Sequence, residues 1–134
     1  MTRLLIMGLL LLSGTALAAD CSYRQDALGR QHYRCDDGRK GTVRQDALGR
    51  VRDSGTEQTW RKDATGTWRS NDGQTMRKDS LGRTHNSDGT VWRTDSRGRQ
   101  QASDGTVCRT DSLKRTQCHG GDSKPPSLYQ KKQQ

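Results

Sequence analysis

The chain has no phenylalanine, only two prolines, and aromatics at just 4% of its 134 residues. Its single isoleucine, Ile6, lies within the first dozen residues, as does its one long apolar run. Past that run, valine and leucine are scattered among three Trp, three Tyr and one methionine, Met76. So little apolar material excludes a conventional thick core. With 29% charged residues, this is a composition that ordinarily leaves a chain disordered. Acid–base chemistry is equally ill supplied. Glu57 is the only glutamate, and His32, His85 and His119 stand at unrelated spacings. No nucleophile sits beside a base and no phosphate loop occurs. The cysteine spacings are not zinc-like, and each aspartate-bearing turn offers too few oxygens for calcium. A non-enzymatic protein without metal or cofactor is expected.

What the first residues do contain is a leader. Arg3 is the only charge before the run Leu4–Leu12, and Ala16-Leu17-Ala18 offers a small-x-small cleavage site, so residues 1–19 read as a secretory signal peptide. Asp20 precedes Cys21, which is not a lipoprotein junction. A periplasmic or secreted protein without a transmembrane segment after cleavage is the expectation.

The remainder is organised by repetition. Arg61, Arg77, Arg93 and Arg109 are sixteen residues apart, and the first three open RKDATGTWRSNDGQTM, RKDSLGRTHNSDGTVW and RTDSRGRQQASDGTVC. Looser copies begin at Arg24 and Arg44, and a truncated one, RTDSLKRTQC, begins at Arg109. Fixed-period self-similarity predicts a repeat architecture, whose units lean on their neighbours and need little core. In the unit from Asp79, Asp79-Ser80-Leu81-Gly82-Arg83 fits a three-residue hairpin loop with Gly82 left-handed. Asp88-Gly89 reads as a two-residue hairpin turn, which would set His85 opposite Trp92. The expected fold is all-β, an antiparallel meander of two-strand repeats over residues 20–118.

The cysteines give an independent check on this register. Cys21 and Cys35 lie seven residues either side of Leu28, and Cys108 and Cys118 lie five either side of Leu113. Residues equidistant from a hairpin loop face one another. Of the three connectivities that four cysteines permit, this selects Cys21–Cys35 with Cys108–Cys118, one staple at each end of the array. At the last loop Lys114 replaces glycine, so a non-glycine residue must adopt a left-handed conformation there.

Residues two apart on a strand share a face. Each Arg-x-Asp step therefore sets opposite charges side by side, and Asp26 and Asp79 also face Arg30 and Arg83 across their loops. The opposite face carries an apolar row, Val43, Trp60, Met76, Trp92 and Cys108, which Trp68 and Tyr33 can join. This row is the candidate core. The alternative use of the aromatics, with Trp60, Trp68, Trp92, Arg61, Arg77 and Arg93 as ligand contacts, rests on the generic affinity of Trp and Arg for sugar rings and bases.

The stretch from Asp88, DGTVWRTDSRGRQQASDGTVCRTDSLKR, resembles the YD repeats of the Rhs family of bacterial surface and toxin-delivery proteins. Asp-x-x-Gly-Arg and Asp-Gly-Thr carry the resemblance, over roughly residues 24–115. The family's Tyr before Asp is Gln25, Gln45, Lys62, Lys78, Thr94 or Thr110 in this chain. The resemblance implies a β-hairpin repeat and an association with the cell surface, and transfers no catalytic residue.

The formal charge is +9, of which Arg3 belongs to the leader. Counted unit by unit the repeats are nearly balanced, and half the excess of the chain after the leader falls in residues 109–134. That argues against a dedicated nucleic-acid groove and assigns residues 119–134 to a disordered basic tail. The leading expectation is an exported protein that binds an anionic envelope polymer or glycan. The alternatives are a protein-interaction module, such as the partner of a secreted toxin, with edge strands that pair with another chain, and a largely disordered basic peptide.

Overall fold

The computed structural model describes residues 19–129; the leader read over residues 1–19 lies outside them apart from Ala19. The described chain is all-β. Its twelve strands are β1 (Cys21–Gln25), β2 (Gln31–Cys35), β3 (Lys40–Gln45), β4 (Val51–Asp53), β5 (Gln58–Lys62), β6 (Trp68–Ser70), β7 (Thr75–Lys78), β8 (Thr84–Asn86), β9 (Val91–Thr94), β10 (Gln100–Ala102), β11 (Val107–Thr110) and β12 (Arg115–His119). Each pairs antiparallel with the next, and β12 returns to pair with β1, so the meander closes into a barrel. Closure leaves no free strand edge. The expected route to a partner through exposed edges is therefore absent from this fold.

The Asp-x-x-Gly loops have the predicted form. Asp79 N donates to Arg83 O at 2.8 Å, Gly82 N to Asp79 O at 3.1 Å, and Gly82 has φ +81°. The Asp-Gly turns differ from expectation. Asn86 N donates to Thr90 O and only Gly89, at φ +90°, is left-handed, so Ser87-Asp88-Gly89 is also a three-residue loop. The one-residue difference shifts the pairing. His85 faces Val91, and Thr84 faces Trp92. Because side chains alternate, this sends His85 outward and Trp92 inward. Ser87 is the reason for the wider loop. Its backbone donates to Thr75 O and its Oγ accepts from Thr75 N at 3.0 Å. Ser54, Asn71 and Ser103 make the same stitch to Thr42, Thr59 and Val91.

Both predicted disulfides form, Cys21–Cys35 and Cys108–Cys118. They do not guard open ends. Cys21 also faces Cys118 across the closing pair of strands, so the two bridges flank the seam. Two disulfides accord with an oxidising compartment outside the cytosol, and no helix among the described residues is long and apolar enough to cross a membrane.

The predicted apolar row points inward. Val43, Trp60, Trp68, Met76 and Trp92 join Tyr23, Tyr33, Val51 and the cysteines in one buried cluster. The outer wall carries Arg24, Thr42, Arg52, Arg61, Arg77 and Arg93. This inside-out order and strands of three to six residues are the opposite of a bilayer-spanning barrel, which needs an apolar outer band and strands of about 9–11 residues.

Eight strands already enclose about as much space as their own side chains fill, and diameter grows with strand number. Twelve need a filler. The C-terminal segment supplies it, where the composition had suggested disorder. Residues 120–129 turn back over one end of the barrel. Pro126–Leu128 form a 3₁₀ turn, and Leu128 and Tyr129 are buried in the core cluster, the Tyr129 ring 5.4 Å from that of Trp60. Residues 130–134 lie outside the described part.

Candidate functional site

The five Asp-x-x-Gly loops and the sixth of the same form, Asp111–Lys114, emerge at one end of the barrel, and the Asp-Gly loops and the plug occupy the other. In the first set each aspartate is fully employed. Asp26 Oδ1 accepts from Leu28 N and Arg30 N, while Oδ2 accepts from Arg30 Nε at 2.7 Å. Asp46, Asp79, Asp95 and Asp111 repeat this with Arg50, Arg83, Arg99 and Arg115. Asp63, whose loop ends in Thr67, takes Arg69 instead. His32 and His85 add a second contact at 2.8 Å to Asp26 and Asp79. Those histidine contacts, with the arginine and backbone donors, hold the Asp26 and Asp79 carboxyls far below the usual carboxylate range.

The arginine that opens each repeat has no share in this. Arg24, Arg44, Arg61, Arg77, Arg93 and Arg109 are exposed. None of the ion pairs or side-chain hydrogen bonds among the described residues includes them. The side-by-side charge pairing expected within Arg-x-Asp does not form, because the loop folds the aspartate back onto its own backbone and onto the arginine after the glycine. The six guanidinium groups sit on alternate strands around the wall. Three face other arginines directly: Arg24 opposite Arg115, Arg44 opposite Arg52, and Arg61 opposite Arg69. Like charges opposite one another are destabilising, so this belt is not explained by the stability of the sheet. Two surface grooves run along it. One of about 500 Å³ is lined by Arg30, His32, Arg44 and Arg52 together with Asp53 and Glu57. The other, of about 270 Å³, is lined by Arg97, Arg99 and Arg109.

The charge asymmetry that the unit-by-unit count missed runs along the barrel axis. The six segments 24–30, 44–50, 61–67, 77–83, 93–99 and 109–115 hold fifteen Lys and Arg against six Asp. Among the described residues the plug end holds nine acidic ones, Asp20, Asp36, Asp37, Asp53, Glu57, Asp72, Asp88, Asp104 and Asp122, against Arg34, Arg39, Lys40 and Lys124. Every repeat contributes to both ends, so each appears balanced.

Trp60, Trp68 and Trp92 are inside the wall on which Arg61, Arg77 and Arg93 stand outside. The two groups of expected ligand contacts are thus separated by the sheet and cannot form one stacked site. At the plug end a cavity of about 380 Å³ is bordered by Trp60, Asn86, Asp104, Lys124 and Tyr129. Trp60 Nε1, Trp92 Nε1 and Asn86 Oδ1 are buried without a hydrogen-bond partner among the described residues.

One buried polar cluster escaped the sequence reading. Asp53, 1% exposed, accepts from Tyr33 Oη at 2.8 Å, Gly55 N at 2.9 Å and Lys124 Nζ at 2.8 Å. Burial, reinforced by the hydrogen bond to Asp53, keeps the Tyr33 hydroxyl protonated well above the ordinary tyrosine range. The cluster ties β2, β4 and the plug together. Its sequence signal is Asp53 standing in the inward phase of β4 with Val51; its partner Lys124 carries no comparable local signal. Comparison with protein-family models, curated proteins and solved structures finds no match to this chain.

Proposed function

We propose that this protein is an exported anion-binding barrel that acts by binding rather than catalysis, and that its ligand is a phosphate-, sulfate- or carboxylate-bearing polymer of the cell envelope. The observation that carries this reading is the belt of six equivalent, exposed and unpaired arginines, three of them set against further arginines. Such an arrangement costs repulsion in the free protein and is relieved when anionic groups bridge neighbouring guanidinium groups, which take oxyanions bidentately. The grooves at Arg44 and Arg109 give chain-like anions a path along the wall. Neutral glycans are not favoured, since the tryptophans that would stack on sugar rings face the core. The leader and the disulfides support export.

The test is binding to sized heparin and lipopolysaccharide fragments, with dextran as neutral control, across a salt series. Replacing Arg24, Arg44, Arg61, Arg77, Arg93 and Arg109 together by Gln is expected to weaken anion binding by more than tenfold and flatten its salt dependence, with the unfolding midpoint held or raised. Equal affinity of parent and variant sinks the proposal.

A further inference from the structure

The four large hydrophobic side chains that stand exposed among the described residues are Leu28, Leu48, Leu81 and Leu113, at 76, 78, 76 and 66%. All four occupy the same place, the tip of an Asp-x-x-Gly loop or, for Leu113, of the equivalent loop that ends in Lys114. All six such tips lie at one end of the barrel, and the other two carry Thr65 and Arg97. The loop geometry requires no leucine there. The tip residue projects away from the turn, and its backbone N–H is already satisfied by the loop aspartate, as in Leu81 N to Asp79 Oδ1 at 2.9 Å.

We propose that this end docks on an anionic phospholipid bilayer, with the leucine tips seated in the interfacial layer and the arginines behind them at the lipid phosphates. The electrostatic half of this inference rests on the anion-binding reading above; the leucine half is independent of it. Three features favour a lipid surface over a protein. The leucines are spaced singly around a rim, whereas a protein hot spot gathers its apolar residues at the centre and keeps charge outside. Four residues before each apolar tip stands the unpaired arginine that opens its repeat, Arg24, Arg44, Arg77 or Arg109, which matches the depth order of acyl boundary and headgroup. The axial charge separation also orients the molecule, since an anionic surface attracts the arginine-rich end and repels the aspartate-rich plug end.

The experiment is sedimentation of the full mature protein with vesicles of phosphatidylcholine alone and of phosphatidylcholine mixed with phosphatidylglycerol, run beside heparin binding. The parent is expected to bind the mixed vesicles, and more weakly as salt rises. Leu28→Ser, Leu48→Ser, Leu81→Ser and Leu113→Ser each should weaken vesicle binding up to about tenfold, the cost of exposing a seated leucine, and leave heparin binding unchanged. A second readout does not depend on the serine variants: with bromine-labelled lipid, the indole introduced by Leu81→Trp should be quenched and that introduced at the plug end by Thr56→Trp should not. The proposal is overturned if the parent ignores mixed vesicles, if the leucine variants bind them as well as the parent, or if both indoles are quenched equally. Loss of heparin binding in the parent would instead overturn the anion-binding reading alone.

Discussion

The docking of the C-terminal segment can be tested at one atom. Lys124 Nζ reaches Asp53 Oδ2 at 2.8 Å, with side-chain exposures of 16% and 0%. Lys124→Met keeps most of the aliphatic stem and removes the charge, leaving a carboxylate in the core with only Tyr33 Oη and Gly55 N to stabilise it. Breaking a buried pair by removing one partner costs about 3–5 kcal/mol, and the two surviving donors place the expectation near the lower figure. With a urea slope of about 2 kcal/mol per molar for a domain of this size, the midpoint should fall by roughly 1.5 M with the disulfides intact. Asp53→Asn should cost a comparable amount. The double variant Asp53→Asn/Lys124→Met should recover at least about 1 kcal/mol relative to the sum of the single effects, because no unpaired charge remains buried. Lys40→Met, an exposed lysine without an ion pair, serves as control and should stay within about 0.5 kcal/mol of the parent. If Lys124→Met behaves like the control, the segment is not seated as described, and the twelve-stranded barrel does not need it as filler.

Other outcomes follow from single sites. Lys114 sits at φ +60° where the other Asp-x-x-Gly loops have glycine, so Lys114→Gly should raise stability by about 0.5–1 kcal/mol, the relieved backbone strain less the added freedom of the unfolded chain; a lower melting temperature would contradict the loop assignment. A Cβ at Gly55 would run into the Tyr33 hydroxyl and come within 2.6 Å of the Lys40 carbonyl oxygen, so Gly55→Ala should destabilise by about 1–3 kcal/mol, measurable by thermal unfolding. Asp26, Asp63 and Asp79 are held below their ordinary value of 3.8. Their contribution is complete above that value and is lost as pH falls through the lower folded values. The melting temperature should accordingly be insensitive to these groups from pH 7 to about 5 and drop below about pH 4, with a shallower drop in Asp79→Asn.

Much of this architecture can be read from residue spacing alone. The cysteine symmetry about Leu28 and Leu113 fixes both disulfides, and the row from Val43 to Cys108 identifies the core, because strand alternation is a local rule. What failed to transfer has equally physical causes. Asp-Gly is compatible with two loop lengths, and the choice is made by a contact twelve residues away, between Ser87 and Thr75. Closure depends on accumulated strand twist and tilt, which no single repeat displays. The docking of Lys124 on Asp53 spans 71 positions, so composition could report only a polar tail. The unpaired arginines were visible as residues, but their vacancy follows from the aspartates turning back on their own loops. The axial division of charge was hidden because counting along the chain averages over both ends of every hairpin.

The closed array also has an arithmetic of its own. Each repeat supplies two strands, so inserting or excising one leaves the inside and outside of every other strand unchanged. Ten- and fourteen-stranded versions are thus accessible by duplication or loss of a single genetic unit, each with a different bore. The hairpins impose no preference among them. Tyr129 and Lys124 do, because the plug fits one diameter. The C-terminal segment thus acts as the gauge of the barrel, the part of the sequence that counts the repeats.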